Sequence, residues 1–292
     1  MKKYFDREFL ASLERLSLNT NRIKAGINSG ERRSPHKGHS VEFADFRNYV
    51  VGDDSRYIDW NSYARSEKLH VKLFAEEQDL LLTLFLDISK SMEWGQPSKD
   101  LLARQIAGAL GYLVLTGYDR VSIAAFSDGL KGYLPPLRGR AAIKQIWGFI
   151  EGLACGGKTD FAKSMQQYGR YWRTPGISLV LTDFINIEDL FKGLNYLGSL
   201  KQEIILLQIL SPDETDPSYY GDWRLIDCET GNKKEVTIST AMLNRYHKKL
   251  KSLTDEIKGF CSQRQIYYAQ ISSESPLEDI ILRDMPRAGI LK

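Results

Sequence analysis

Leu80-Leu81-Leu82-Thr83-Leu84-Phe85-Leu86-Asp87-Ile88-Ser89-Lys90-Ser91 is the stretch that decides the fold. Between Leu80 and Leu86 only Thr83 interrupts the apolar run, and polar residues do not alternate with apolar ones. A strand of that texture is covered on both faces, as the inner strands of parallel sheets are. Downstream, a helix is expected from Pro97 to Thr116, with Leu102, Ile106, Leu110 and Leu113 on one face. Val121–Phe126 reads as a second strand, and Lys131–Leu134 as a short third one that Pro135-Pro136 ends. Helices fit Ala141–Leu153 and Asp160–Tyr171. Ile177–Leu181 is a fourth strand, closely followed by Asp183. A helix over Ile187–Leu200 and a strand over Glu203–Leu210 come next. Trp223–Ile226 and Glu235–Ile238, joined through Gly231-Asn232, read as a hairpin. A long helix over Ala241–Ser262 and a strand over Ile266–Ile271 complete the pattern. Strands alternating with helices predict an α/β fold: a doubly wound, mainly parallel sheet with helices on both faces, an N-terminal extension and an inserted hairpin.

Upstream the texture is polar, basic and aromatic. An amphipathic helix fits Phe5–Leu18, followed by a Gly/Pro/Ser-punctuated loop carrying Arg32, Arg33, His36, Lys37 and His39. Two histidines in such a loop read as solvated residues, not as a metal pair. The chain is therefore divided into a segment 1–79 packed on a main domain 80–275, with a tail 276–292. Lys plus Arg number 40 and Asp plus Glu 37, a net charge of +3, which does not point to nucleic acid. Three separated cysteines, Cys155, Cys228 and Cys261, make no disulfide framework. With no apolar stretch long enough to span a bilayer and no apolar signal core at MKKYFDREFL, a cytoplasmic protein without a membrane span is expected.

Three loops carry the candidate chemistry: Asp87-Ile88-Ser89-Lys90-Ser91, Gly156-Gly157-Lys158-Thr159-Asp160 and Thr182-Asp183-Phe184. In doubly wound sheets, ligands bind outside the carboxyl ends of strands where the strand order reverses. If strands one and four are neighbours, Asp87 and Asp183 converge there. Two carboxylates with the hydroxyls of Ser89, Ser91 and Thr159 form an all-oxygen set that suits Mg²⁺ or Mn²⁺. A cation held mainly by neutral groups keeps unspent positive charge, and it can draw a carboxylate from another molecule into its open position. Each hydroxyl also has an ordinary reading as a helix cap or turn former, Thr159 standing where an N-cap would.

Asp-x-Ser-x-Ser after an apolar strand, with a later Thr and Asp, resembles the metal-ion-dependent adhesion site of von Willebrand factor A domains, over about residues 79–275. The resemblance implies strand order 3-2-1-4-5-6, serines and threonine touching the metal, acids acting often through water, and a partner's Asp or Glu completing the octahedron. Upstream, Glu42-Phe43-Ala44-Asp45-Phe46-Arg47-Asn48-Tyr49, then Gly52-Asp53-Asp54-Ser55-Arg56-Tyr57-Ile58-Asp59-Trp60 and Ala64-Arg65, are similar to the signature of the bacterial family called domain of unknown function fifty-eight. That resemblance implies a partnership with a MoxR-type AAA+ ATPase or its client. Arg47, Arg56 and Arg65, interleaved with Asp45, Asp59 and Glu67, suggest an ion-pair network, and Gly52-Asp53-Asp54 a turn. Trp60 and Tyr49 read as packing residues, or the segment as a partner-facing surface.

The expected function is a non-enzymatic, metal-dependent protein-binding module with no catalytic residue. Two alternatives stand beside it. One is a Mg²⁺-dependent, phosphatase-like hydrolase using Asp87 as nucleophile. The other is a metal-free scaffold that binds through residues 1–79.

Overall fold

The computed structural model describes residues 5–19, 41–66, 68–76, 80–172, 174–184, 186–229 and 231–292. The basic loop with Arg32, Arg33, His36, Lys37 and His39 lies outside them. Two compact units divide the chain: Met1–Ile27 with Leu80–Lys292, and Asn28–Asp79. The expected 1–79 segment is thus split, its first residues belonging with the larger unit.

Helix α1 (Arg7–Leu13) is shorter than the expected Phe5–Leu18: Asp6 caps its start, its Oδ1 accepting the Phe9 amide at 2.7 Å, and beyond Leu13 the chain leaves the helix to bridge Leu291 from Leu18. It buries Phe9 and Leu13. In the smaller unit, β1 (Val41–Asn48) pairs antiparallel with β2 (His70–Glu76), and α2 (Trp60–Ser66) lies between them in sequence.

The larger unit is built on a six-stranded sheet. Its strands are β3 (Leu81–Asp87), β4 (Arg120–Phe126), β5 (Leu130–Arg138), β6 (Gly176–Thr182), β7 (Gln202–Leu210) and β10 (Tyr267–Ser272), in the order β10-β7-β6-β3-β4-β5. All neighbours are parallel except β4 and β5. Counted within the sheet, this is 3-2-1-4-5-6, the doubly wound order, so the first and fourth strands are adjacent as expected. β8 (Gly221–Ile226) and β9 (Lys233–Ile238) form the inserted hairpin.

Both faces of the sheet are covered, which is why β3 has no polar alternation. Leu82, Leu84 and Leu86 share a core with Ile106 and Leu110 of α3 (Lys99–Thr116) and with Ile146 and Ile150 of α4 (Ile143–Gly152). Phe85 faces the opposite core. There it meets Tyr168 of α5 (Phe161–Tyr171), Leu194 of α6 (Ile187–Ser199) and Ile257 of α7 (Thr240–Gln263). Thr83, the one polar residue of the run, is satisfied inside by the hydroxyls of Ser122 at 2.8 Å and Tyr168 at 3.2 Å.

Two expectations need correction. Pro135-Pro136 does not end β5, which continues to Arg138. β5 is an edge strand, and a register shift between Val121 and Ile123 accommodates the prolines, which cannot donate to the ladder. Residues 276–292 are no tail. Ile280, Ile281, Met285, Ile290 and Leu291 are buried in the first core, and Leu291 bridges Leu18.

Candidate functional site

The carboxyl ends of β3 and β6 lie side by side, Leu86 being paired with Leu181. From there β3 leads into α3 on one face of the sheet, and β6 leads into α6 on the other. The connections diverge, the topology that in doubly wound sheets opens a crevice between them. Asp87 sits at its floor, only 1% exposed. Its Oδ2 accepts the Thr182 hydroxyl at 2.6 Å, and its Oδ1 accepts the Ser89 amide at 2.8 Å, which turns the chain out of the strand. The hydroxyls of Ser89 and Ser91 lie 3.0 Å apart. Ser89 opens a 3₁₀ turn, Lys90–Glu93, without capping it through its side chain.

The second loop is strapped to the first. The Gly156 amide donates to the Ile88 carbonyl at 2.8 Å, and the Lys90 amide to the Gly157 carbonyl at 3.0 Å. Gly157 adopts φ +80°, and a Cβ there would meet Ser127 Oγ at 3.3 Å. The residue that caps α5 is Asp160, through the Lys163 amide at 3.1 Å, and not Thr159. The Thr159 hydroxyl instead donates to Glu229 Oε1 at 3.5 Å. Glu229 belongs to the turn between β8 and β9.

Asp183 closes the crevice. It is 3% exposed, and its Oδ2 accepts the Lys99 ammonium at 2.8 Å. Lys99 is fully buried in the first turn of α3. It also donates to Glu214 Oε1 at 2.5 Å, while Glu214 Oε2 accepts the Ser211 amide at 2.8 Å. Asp183 Oδ1 is buried and has no hydrogen-bond partner among the described residues. The next residue, Phe184, has φ +44°, a left-handed conformation costly for a bulky side chain. Burial and the neighbouring Asp183 raise the Asp87 carboxyl above its ordinary range. Burial and Asp183 also raise Glu229. Burial opposes the Lys99 charge, but Asp183 and Glu214 outweigh it and hold the ammonium above its usual value.

The five expected residues thus stand at or just beyond the carboxyl ends of β3 and β6 and on the loop before α5. Asp87, Ser89 and Ser91 stand on the first loop, Thr159 on the strapped second loop, and Asp183 on the third. Among the described residues, no three His, Cys, Asp or Glu side chains form a metal cluster. Two carboxylates and three hydroxyls are the available oxygen donors. Three contributors escape sequence reasoning: Lys99, Glu214 and Glu229. Lys99 does leave a signal, since it falls on the apolar stripe of Leu102, Ile106, Leu110 and Leu113. Ser211 and Glu214 also match the S-x-x-E capping box they form. Glu229 leaves none.

The smaller unit carries the other expected residues. Arg47 clasps Asp53 with two bonds, at 2.6 and 2.5 Å, and Arg56 pairs with Asp54. The Gly52-Asp53-Asp54 turn thus supplies the acids for two of the expected arginines, while Glu67 lies outside the described residues. Asp53 accepts the Val50 amide and Asp54 the Arg56 amide, so one turn both orders the backbone and holds the cations. Asp59 is buried and accepts the Asn61 amide at 3.3 Å at the start of α2. Arg65 is exposed, and Trp60, expected as a packing residue, is 61% exposed, its ring edge-on to that of Tyr63.

Uncharacterized proteins of Mycobacterium bovis and Mycobacterium tuberculosis are 25% identical to this chain over 242 residues, covering 81% of it and 76% of theirs. Among solved structures it is similar to the conserved hypothetical protein BatB from Bacteroides thetaiotaomicron, at 14% identity and TM-score 0.43, covering 72% of this chain and 98% of that one. It is also similar to an aerotolerance-related membrane protein from Bacteroides fragilis, at 17% identity and TM-score 0.43, covering 71% and 99%. The second of these neighbours is named as a membrane protein, and the cytoplasmic placement expected from the sequence is withdrawn. Among the described residues, no helix is long and apolar enough to cross a membrane. One family match covers residues 45–255, well over half the chain, taking in most of the upstream signature and five of the six sheet strands, and the protein belongs to the family described as Protein of unknown function DUF58.

Proposed function

We propose that this protein is a divalent-metal-dependent binding module of the von Willebrand factor A type, which captures an acidic group of a protein partner and makes or breaks no bond. One observation carries the proposal: Asp183 Oδ1 is buried without a partner among the described residues, beside a second buried acid, Asp87. A buried carboxylate oxygen left bare is costly, and a cation is the simplest group to satisfy it. The donor chemistry fits Mg²⁺ or Mn²⁺, with Asp87, Asp183, Ser89, Ser91 and Thr159 holding it. Thr159 is spared from capping α5, and Ser89 does not cap its turn, which removes the ordinary explanation for both hydroxyls. The bound metal would supply an electrophilic site for a partner's carboxylate. A MoxR-type AAA+ ATPase or its client is the partner to test first.

Lys99 favours a second reading, the metal-free scaffold, because it already gives Asp183 a cationic partner. One experiment separates the two. Pull-down of the ATPase by the full chain is compared with Mg²⁺ and with EDTA, for wild type and Asp183→Ala. Capture lost in EDTA and in the variant supports the metal module. Capture indifferent to both supports the scaffold.

A further inference from the structure

The two edges of the six-stranded sheet are built differently. β5 forms one edge and carries Pro135 and Pro136, which cannot donate to an added strand, and its pairing with β4 is interrupted by register shifts. β10 forms the other edge. Its sequence, Tyr267-Tyr268-Ala269-Gln270-Ile271-Ser272, has neither proline nor charge, and it pairs with β7 without a shift. We propose that this edge is a docking strand for an extended segment of a protein partner, added antiparallel as a seventh strand, with an acidic C-terminal end. The proposal stands apart from the crevice and needs no cation.

In a parallel ladder every second residue turns both its amide and its carbonyl to one neighbour, and the residues between turn theirs the other way. The Ser273 amide donates to the Leu210 carbonyl at 2.8 Å, so Ile271, Ala269 and Tyr267 serve β7. Tyr268, Gln270 and Ser272 therefore direct their backbone groups outward. The Ser272 carbonyl accepts the Ser275 amide at 3.0 Å. The amides of Tyr268, Gln270 and Ser272 and the carbonyls of Tyr268 and Gln270 have no hydrogen-bond partner among the described residues. The strand is already held in place. Tyr268 packs on the second core and its hydroxyl donates to Gln208 Oε1 at 2.6 Å, while Tyr267, Ala269 and Ile271 pack on the first. A partner strand gains its main-chain bonds without reordering this one.

A cavity at the start of β10 sets the partner's chemistry. It measures about 730 Å³ and is lined by Lys258, Cys261 and Ser262 of α7 and by Ile266, Tyr267 and Tyr268. Among the described residues that line it, Lys258 alone is charged, and it is exposed. An antiparallel strand brings its C-terminal end to that point, so carboxylates there meet the ammonium, whereas a parallel strand brings an N-terminal end whose amine is repelled. Ile266 and the two tyrosines supply apolar contact beside the charge. A second copy of this chain fits less well. Two β10 strands centred on Gln270 would set the Tyr268 amide of one copy against the Ser272 carbonyl of the other, which Ser275 already occupies.

The test uses the full chain in EDTA and a fluorescent probe peptide, Ser-Val-Thr-Val-Thr-Val-Asp with a free C-terminus, beside the same peptide ending in an amidated Lys. Fluorescence anisotropy measures binding, amide-resolved NMR hydrogen exchange locates it, and circular dichroism melts control for folding. Wild type binds the acidic peptide saturably and about fivefold more tightly than the basic one. The Tyr268, Gln270 and Ser272 amides become protected. Gln270→Pro removes an outward donor and spares the β7 ladder, and it weakens binding about tenfold. Lys258→Glu reverses the preference between the two peptides. Binding that persists unchanged in Gln270→Pro, or that leaves those three amides unprotected, overturns the proposal. So does absence of saturable binding by wild type. A wild-type dimer in sedimentation that Gln270→Pro dissociates also overturns it, since a second copy then holds the edge. With EDTA present throughout, failure here leaves the metal module standing, and failure of the metal module leaves this edge untouched.

Discussion

Lys99→Met is the substitution that most directly probes how charge is balanced in the crevice. Methionine keeps the unbranched shape, so little cavity is made and the change is one of charge. Wild-type Lys99 is fully buried and bonds two carboxylates, at 2.8 and 2.5 Å. The Glu214 side chain is 30% exposed and can turn to water, whereas Asp183, at 2%, cannot. Removing the ammonium therefore strands Asp183, one of whose oxygens already has no partner. Breaking a buried pair from one side costs about 3–5 kcal/mol. For a unit of this size that is a fall in Tm of about 6–20 °C. Two comparisons isolate the cause. The double variant Lys99→Met/Asp183→Asn should recover most of the loss, because the stranded charge is gone. Mn²⁺ should raise the Tm of Lys99→Met more than that of wild type, since the metal then supplies the missing positive charge. The assay is thermal unfolding by circular dichroism in EDTA and in millimolar Mn²⁺. A Lys99→Met protein melting within about 1 °C of wild type in EDTA would refute the reasoning. So would equal Mn²⁺ shifts in the two proteins.

Three further outcomes follow from the structure. Burial and Asp183 push the Asp87 carboxyl up to about 7 from an ordinary 3.8, so between those values the folded chain holds more protons than the unfolded one. Stability contributed by neutral Asp87 is therefore present below pH 4 and lost as pH rises through 7. In EDTA, Asp87→Asn should match wild type at pH 4 and exceed it in denaturant melts at pH 8; equality at pH 8 would contradict the shift. A Cβ at Gly176 would lie 2.4 Å from the Leu81 carbonyl, whereas one at Gly259 in α7 meets nothing within 4 Å. Gly176→Ala should lose about 1–3 kcal/mol, and Gly259→Ala should gain about 0.5–1 kcal/mol, in urea titrations. Of the cysteines, Cys228 is exposed and Cys261 buried. Burial and Asp100 hold the Cys155 thiol up to about 12, and burial holds Cys261 up to about 11. A thiol reagent at pH 8 should modify Cys228 first, seen by mass spectrometry of tryptic peptides, and prior labelling of Cys155 would contradict this.

Much of the larger unit is legible in the sequence because its inner strands obey a simple rule. A strand covered on both faces, such as Leu81–Asp87 or Gly176–Thr182, reads as an uninterrupted apolar run. Helices between such runs impose parallel crossovers, and the acid at each strand end marks the crevice. Failures occur where a residue's state depends on remote partners. Pro135-Pro136 looks like a terminator until the edge position of β5 is known, since an edge strand tolerates missing donors. Residues 276–292 look like a tail because no strand or long helix pattern runs through them, yet Ile280, Met285 and Leu291 enter a core whose other walls are far away in sequence. Arg47 and Arg56 pair with the acids of the Gly52-Asp53-Asp54 turn, a choice that turn geometry makes and charge alternation does not reveal.

The same distinction explains why five oxygen donors are legible and the charges around them are not. Asp87, Ser89, Ser91, Thr159 and Asp183 are placed by strand ends, which topology fixes. Lys99, Glu214 and Glu229 are placed by side-chain reach across elements, with partners 84, 115 and 70 residues apart in the chain. These three set how much negative charge the crevice presents. Lys99 offsets one acid from behind, which leaves Asp183 with one oxygen bound and one bare. Glu229 adds a further acid near enough for Asp183 to raise it. A site tuned in this way would hold a cation weakly enough to leave it electrophilic, and removing either residue would move the balance in opposite directions. Lys99→Met should tighten Mn²⁺ binding and Glu229→Gln should loosen it, and the double variant should fall between them. Were both single variants to move affinity the same way, charge balance could not be what relates these residues to the crevice.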